Sequence, residues 1–372
     1  MRTISEIATA LTPQAVAVRR DLHRHPEIAF EEHRTMGIVV DRLRALGLSP
    51  RANLGKTGVV AVWDSGKPGP TVLVRADMDA LPVPEEKTVE YKSTIEGKMH
   101  ACGHDGHTAI LLGVAETLLE RGAGLRGRLV FVFQPAEEIV RGASAMLADG
   151  ALDGLSIDHV VGLHLSSNTP LGSVSVREGP AMAATDSYRL VVKGRGGHAA
   201  YPQGGIDPIV ISAQVILALQ TIVSRNVDPV DKAVISITSI HAGTAYNIIP
   251  ESVELKGTLR TFDPETRTRL RARILEVAEG VCKLHGGAFE SEWFEGTPAV
   301  VNDAESTVAF RRVAAGILGE ENVKESPQIM GGDDMALWLQ QAKGCYFFVG
   351  SSSSEATSVD HHNLVSTSTS AR

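Results

Sequence analysis

The run LVFVFQPAEE at residues 129–138 decides the fold. Five apolar residues in succession, without the alternation of a strand wetted on one side, describe a strand buried on both faces. A proline and two adjacent glutamates follow at once, so the apolar run stops where a pair of carboxylates begins. Working outward, shorter runs of the same kind stand at 58–63 (GVVAVW), 71–75 (TVLVR) and 159–163 (HVVGL), and stretches of helical spacing at 108–120 and 142–148 separate them. Continuous apolar strands alternating with helices predict a mostly parallel sheet covered on both faces. Ahead of them, 13–46 has helical spacing interrupted at His25-Pro26, which predicts two helices.

The pattern changes after residue 180. A half-buried strand at 186–193 is followed by a helix at 208–224, strands at 232–241 and 252–260, a helix at 263–285 and a strand at 288–294. This β-α-β-β-α-β order is that of a ferredoxin-like split sandwich. Helices at 306–318 and 333–341 and a strand at 344–349 then return to the first style. The expected fold class is α/β, with a mostly parallel-sheet domain at 1–182 and 297–372 and an inserted βαββαβ domain at 183–296.

Composition narrows the function. The chain has 372 residues, 43% of them hydrophobic, too much apolar material for a disordered chain. A net charge of -8 with interspersed signs offers no basic stripe, which argues against nucleic acid. Uninterrupted apolar runs are too short to cross a bilayer, and the start MRTISE lacks the apolar segment of a secretory signal, so no membrane partner and a cytoplasmic location are expected. Three widely spaced cysteines make no disulfide framework and fit a reducing compartment. Thirteen histidines direct attention to places where imidazoles meet carboxylates or thiols.

The densest such place is MHACGHDGH at 99–107. A Cys-x-His spacing matches no common zinc-finger pattern, and from this stretch alone a metal site and a solvated polar loop both stay open. Topology adds to it. In a parallel sheet the strand C-termini share one edge, where ligands bind in open α/β folds. Separate connections bring Cys102 and His104, Glu137 and Glu138, His164, and Asp77 with Asp79 to that edge. Adjacent acids on a surface helix usually form a solvated face. At the end of a buried strand one carboxylate can hold a metal while its neighbour accepts a proton, the division of labour that metal-assisted hydrolysis needs.

With these motifs in view the sequence resembles the M20 metallopeptidase and aminoacylase family, in its branch of N-acyl-amino-acid and hippurate amidohydrolases. The resemblance runs through DLHRHPE (21–27), RADMDALP (75–82), MHACGHDGH (99–107), QPAEE (134–138), GLH (162–164), GGHAAYP (196–202), YNIIP (246–250), GTLR (257–260) and GGDD (331–334). It implies a di-metal hydrolase domain with an inserted lid that also mediates dimerisation, giving a homodimer or higher homo-oligomer. It makes Cys102, His104, Glu138, His164 and His362 metal ligands, with His361 as the alternative to His362, Glu137 the general base, and Asp79 a residue that orients the metal shell. His198 would stabilise the oxyanion from the partner subunit, Asn247 and Arg260 would grip the substrate carboxylate, and the backbone at Gly332 would line the pocket. Two divalent ions are implied, zinc by ligand type, with manganese, cobalt or nickel compatible. His107 is left out of the ligand set as a residue that caps the following helix. The C-terminal stretch VDHHNLVSTSTSAR (359–372) departs from the family pattern, with Leu364 where a proline is expected.

The implied reaction is hydrolysis of the amide bond of an N-acyl amino acid, of N-acetyl or N-benzoyl type. The rival within the family is a metallo-exopeptidase cutting dipeptides or C-terminal residues. A non-catalytic metal- or amino-acid-binding protein is the rival of another class, against which Glu137 argues. A thiol redox protein using Cys102 lacks a resolving cysteine in any C-x-x-C motif.

Overall fold

A computed structural model describes residues 2–352 of the chain. It divides into two compact units, one of residues 2–181, 300–327 and 333–352, the other of Met182–Ala299 and Gln328–Gly332.

The first unit starts with α1 (Ile4–Arg24), opened by a capping box in which Thr3 Oγ1 accepts from Glu6 N–H and the Glu6 carboxylate accepts from Thr3 N–H. It stops directly before His25-Pro26, and α2 (His33–Ala45) follows. Its sheet contains β1 (Arg51–Leu54), β2 (Gly58–Asp64), β3 (Thr71–Asp77), β4 (Arg128–Gln134), β5 (His159–Pro170), β6 (Val174–Val176) and the strands Val323–Glu325 and Lys343–Ser352. Across the sheet the order is β1, β2, β4, β3, β5, Lys343–Ser352, β6, Val323–Glu325. β4, β3, β5 and Lys343–Ser352 run parallel and form the centre. Val18 and Leu22 of α1, Val39 and Leu43 of α2 and Ala109, Leu112 and Ala115 of α3 (His104–Glu120) bury one face against Val59, Ala61, Phe131 and Phe133.

The flanks correct the expectation from apolar runs. β2 is as continuously apolar as β4, yet it is antiparallel to both β1 and β4. An unbroken apolar run reports burial on two faces and carries no information about direction. Boundaries also move. α1 starts at Ile4 and runs through Pro13, where helical spacing was read to begin. α3 starts at His104, four residues before the start read from spacing, and β5 continues six residues past the histidine that was expected to follow it.

In the second unit the antiparallel sheet runs in the order Ala233–Ala242, Ser252–Thr261, Ala184–Lys193, Ala288–Glu295. Helices Pro208–Asn226 and Pro264–Leu284 begin alike, an aspartate (Asp207, Asp263) accepting from first-turn N–H groups and a proline in the first turn, where its missing N–H has no cost. Ile211, Val215, Leu219 and Ile222 of one helix and Leu270, Ile274, Ala278 and Cys282 of the other pack on Tyr188, Leu190, Val192, Val253, Leu255 and Leu259. Gln328–Gly332 also belongs to this unit, because Ala183 N–H donates to the carbonyls of Ile329 and Gly331. Sequence pattern alone places 328–332, and so Gly332, in the larger domain.

Among the described residues, Pro208–Asn226 is the one helix long and apolar enough to cross a bilayer. A count of uninterrupted apolar runs misses it, because Ser212, Gln214, Gln220 and Thr221 interrupt the run. Ile211, Val215, Leu219 and Ile222 recur at helical spacing on the sheet, which accounts for one face of it, while Ile209, Val210 and Leu217 are apolar and exposed.

Candidate active site

Asp77 closes β3, and the chain continues through Met78 and Asp79, both buried. At Gly103 φ is 94°, a left-handed turn, and the next residue, His104, opens α3. His104 Nδ1 lies 2.9 Å from the Asp79 carbonyl and 3.2 Å from Asp79 Oδ1. Both are acceptors, so Nδ1 carries a proton and Nε2 is the nitrogen turned inward. Burial works against the charged ring, but the charges of Asp77 and Cys102 prevail and raise its proton affinity well above the usual range. That Nε2 is buried without a hydrogen bond, 3.7 Å from Asp77 Oδ2 and 3.9 Å from Glu137 Oε2. His164, inside β5, is set in the same way. Its Nδ1 donates to the Leu165 carbonyl at 2.6 Å, and its Nε2 faces Cys102 Sγ at 3.4 Å.

The donors converge. Cys102, His104 and His164 bring one ligand atom each within 4.8 Å of one another, and so do His104, Glu137 and Glu138. Crowding of acids shifts their protonation. Burial, then the charge of Glu138, raises the Cys102 thiol well above its usual range. Burial raises Glu138 to about 7 against the opposing pull of His104. For Glu137 burial acts first and the charges of Asp333 and Asp334 add to it, lifting it well above the carboxylate range. A buried imidazole nitrogen without a hydrogen bond, a thiol and carboxylates gathered in two groups that share His104, with the outer ring nitrogens of His104 and His164 held by carbonyl oxygens, form a donor set that fits two divalent cations once the ligands give up their protons.

His107 has a different role from the cap expected of it. It lies inside the first turn of α3, its Nδ1 donates to Asp77 Oδ1 at 2.5 Å and its Nε2 accepts from Leu165 N–H at 2.8 Å. Both nitrogens are used, so the ring ties β3 to β5 and has no lone pair left for a metal.

Sequence reasoning missed the support under the donors. Arg75, fully buried, donates to Asp77 Oδ2 at 2.5 Å, Gln134 Oε1 at 2.8 Å, Asp334 Oδ1 at 3.0 Å and Asp333 Oδ1 at 3.3 Å. Tyr346 Oη donates to Asp333 at 2.6 Å, and Trp338 Nε1 to Gln134 at 2.8 Å. Arg75 and then the His104 charge overcome burial and hold Asp77 well below its usual range, whereas burial outweighs Arg75 at Asp334 and raises it to about 7. Asp333 and Asp334 with Glu137 form a further group within 4.8 Å. The signal was in GGDD, read only for its glycines: adjacent acids before the apolar MALWL resemble the glutamate pair after β4.

The remaining candidates belong to the second unit. His198 is exposed on Gly197–His198, paired with Ile248–Ile249, and its Nδ1 accepts from Ala200 N–H at 3.1 Å. The exposed Asn247 adjoins it, its carbonyl accepting from Ala199 N–H at 3.0 Å. Arg260, half-buried, stands in register with Thr185 and Val234. At Gly332 a Cβ would fall 2.2 Å from Thr185 Cγ2 and 3.0 Å from the Ala183 carbonyl, so no larger residue fits without a shift. His362 and its alternative His361 lie outside the described residues.

Residues 73–369 match the model of peptidase family M20/M25/M40, and the chain belongs to that family. It is 40% identical over 351 residues to the N-acetylcysteine deacetylase of Bacillus subtilis, covering 93% of this chain and 90% of the relative. It is also 40% identical over 339 residues to thermostable carboxypeptidase 2 of Saccharolobus solfataricus, covering 90% and 85%. The crystal structure of a Bacillus subtilis dinuclear metal binding peptidase from the M20 family superposes with a TM-score of 0.84 at 36% identity, covering 97% of this chain and 94% of that one.

Proposed function

We propose that this chain hydrolyses the amide bond of N-acyl amino acids, releasing a carboxylic acid and a free amino acid. The observation that carries the reading is the glutamate pair. Glu138 N–H is held by Asp79 Oδ2 at 3.0 Å, while Glu137 is grouped both with His104 and with Asp333 and Asp334. Cys102, His104, Glu138, His164 and His362 would hold two divalent ions, zinc by donor type with manganese, cobalt and nickel compatible, and these supply Lewis acidity for water and the amide carbonyl. Glu137 takes the proton of the attacking water and passes it to the amine nitrogen as the C–N bond breaks. The burial and neighbouring charges that raise its proton affinity suit a carboxylate that must keep a proton between two steps.

His198 stabilises the developing oxyanion from the partner subunit, Asn247 and Arg260 bind the substrate carboxylate, and the Gly332 backbone lines the pocket. The second unit acts as the lid and the dimer surface. Ile209, Val210 and Leu217 are exposed on its helix Pro208–Asn226, and Ala233–Ala242 is an edge strand, which supports that assignment. Three buried cysteines without disulfides support a cytoplasmic location.

The carboxypeptidase relative favours a second reading, an exopeptidase. Metal content measured beside amino-acid release from N-acetyl and N-benzoyl amino acids and from dipeptides separates the two. Release from the N-acyl substrates is expected to be faster. Preference for dipeptides would establish the exopeptidase, and a fully metallated chain that releases nothing would establish a binding protein.

A further inference from the structure

Glu32 is completely buried at the entry to α2, yet its carboxylate does not cap that helix. It points to the turn after β4 instead. Its Oε1 accepts from Ala136 N–H at 2.9 Å and from Phe30 N–H at 3.0 Å, and its Oε2 accepts from the Thr57 hydroxyl. Both residues whose N–H groups it holds have left-handed backbones, with φ of 52° at Ala136 and 65° at Phe30. An L-residue with a Cβ rarely adopts that conformation unless its surroundings enforce it.

Ala136 directly precedes Glu137. Its carbonyl is fixed as well, accepting from Arg141 N–H at 3.2 Å and Gly142 N–H at 3.1 Å. Downstream, Asp79 holds the N–H of Glu138 and Asp334 Oδ2 holds that of Ala143 at 2.9 Å. The turn that presents the glutamate pair is thus pinned by three carboxylates, and Glu32 is the pin upstream of Glu137.

We propose that Glu32 is a positioning residue for the hydrolytic reaction: by accepting the Ala136 N–H it enforces the left-handed turn that aims the Glu137 carboxylate. This rests on the reading of Glu137 as general base. It assigns to the buried acid of the EEHRT stretch (31–35) a part in turnover that none of the metal-binding residues supplies.

The test compares Glu32→Ala, Glu32→Gln and Glu32→Ala/Ala136→Gly in the metal-loaded full chain. Glu32→Ala is expected to lose ~100-fold in kcat, the size of loss that a misplacement of about 1 Å brings, with metal content kept and KM changed less than about threefold. Glu32→Gln keeps an acceptor oxygen and recovers most of the loss. Glycine at 136 adopts positive φ without a Cβ penalty, so the double variant regains at least about tenfold over Glu32→Ala. Hydrogen exchange of 134–142 in the metal-free chain should speed up in Glu32→Ala and return towards wild type in Glu32→Gln.

Should Glu32→Ala not accumulate folded, Glu32→Asp, which withdraws the carboxylate by one methylene, takes its place with the same expectations. Wild-type kcat in Glu32→Ala or Glu32→Asp, or a loss that neither Glu32→Gln nor the added Ala136→Gly relieves, overturns the proposal. A Glu137→Gln variant with the wild-type rate overturns the general-base reading itself, whatever Glu32 does. An inactive Glu137→Gln beside an unimpaired Glu32→Ala overturns the positioning role alone.

Discussion

The donors of the first unit and the substrate-binding candidates of the second are held in opposite ways. Cys102, His104, Glu137 and His164 are buried, and His104 is tied through Asp79 just as His164 is tied through the Leu165 carbonyl. His198 and Asn247 are exposed on a two-stranded ribbon whose bonds are mostly its own backbone. The difference separates two requirements. Charge that must be concentrated for chemistry needs a rigid, dry frame that keeps it from collapsing on itself. Exposed polar groups on a short ribbon need only a defined backbone.

The largest effect belongs to the buried side. Glu137→Gln keeps the shape of the residue and removes the proton acceptor, so kcat should fall on the order of 10³–10⁴-fold with metal content unchanged. Kinetics beside metal analysis check this, and retention of more than about a tenth of the rate would break the contrast at its centre. Next comes the frame itself. Arg75→Met leaves Asp77, Asp333 and Asp334 without their shared cation, and removing one partner of such a buried set costs about 3–5 kcal/mol. Denaturant unfolding measures it; a loss below about 1 kcal/mol would mean that the acids take up protons instead.

On the exposed side, His198→Ala should lose ~100-fold in kcat if it serves as the oxyanion donor, with the melting temperature little moved because an exposed ring loses only the Ala200 N–H and its contact with the Tyr201 ring. A stability loss equal to that of a core change would erase the distinction between the two regions.

The smallest expected effect probes buried charge away from the donors. His23 lies between Asp105 Oδ2 at 2.9 Å and Glu85 Oε1 at 3.2 Å. Burial pulls it down, but hydrogen bonding and charge from Asp105, then Glu85, prevail and raise it from 6.5 to about 8. The folded state therefore keeps a proton that the unfolded chain releases earlier. The stabilisation is complete below pH 6.5 and disappears as pH rises through about 8, a change of about 2 kcal/mol. Unfolding followed across that window should slope downward in the wild type and be flatter in His23→Gln; equal slopes would remove His23 from the account.

Much of the donor set was legible because strand ends announce themselves. LVFVF followed by QPAEE shows both a buried strand and the carboxylates at its tip, whereas MHACGHDGH alone left a metal site and a polar loop both open and gained its weight only from the strand ends beside it. Direction was not legible, as β2 demonstrates, since two-faced burial is the same for parallel and antiparallel strands. Nor was the Arg75 network, because Asp333 and Asp334 lie more than 250 positions away in sequence and nothing local marks them as partners. The start of α3 was misjudged because its first turn is polar and is buried by tertiary contacts that helical periodicity does not register. Gly332 was assigned to the pocket by resemblance alone, while the constraint that excludes a side chain there comes from Thr185 and Ala183, distant in the chain.

The position of Lys343–Ser352 between β5 and β6 has a consequence for synthesis. The strand that lies inside the larger sheet, beside β5, leaves the ribosome after the whole second unit. Roughly 180 residues at ~5–20 per second separate the end of β5 from the end of that strand, so β5 offers a bare edge for ~10–40 s. The second unit, nearly contiguous in the chain, needs no such wait. The nascent chain is thus most exposed to edge-to-edge pairing while its smaller half is already complete, and its catalytic half closes in a single late step.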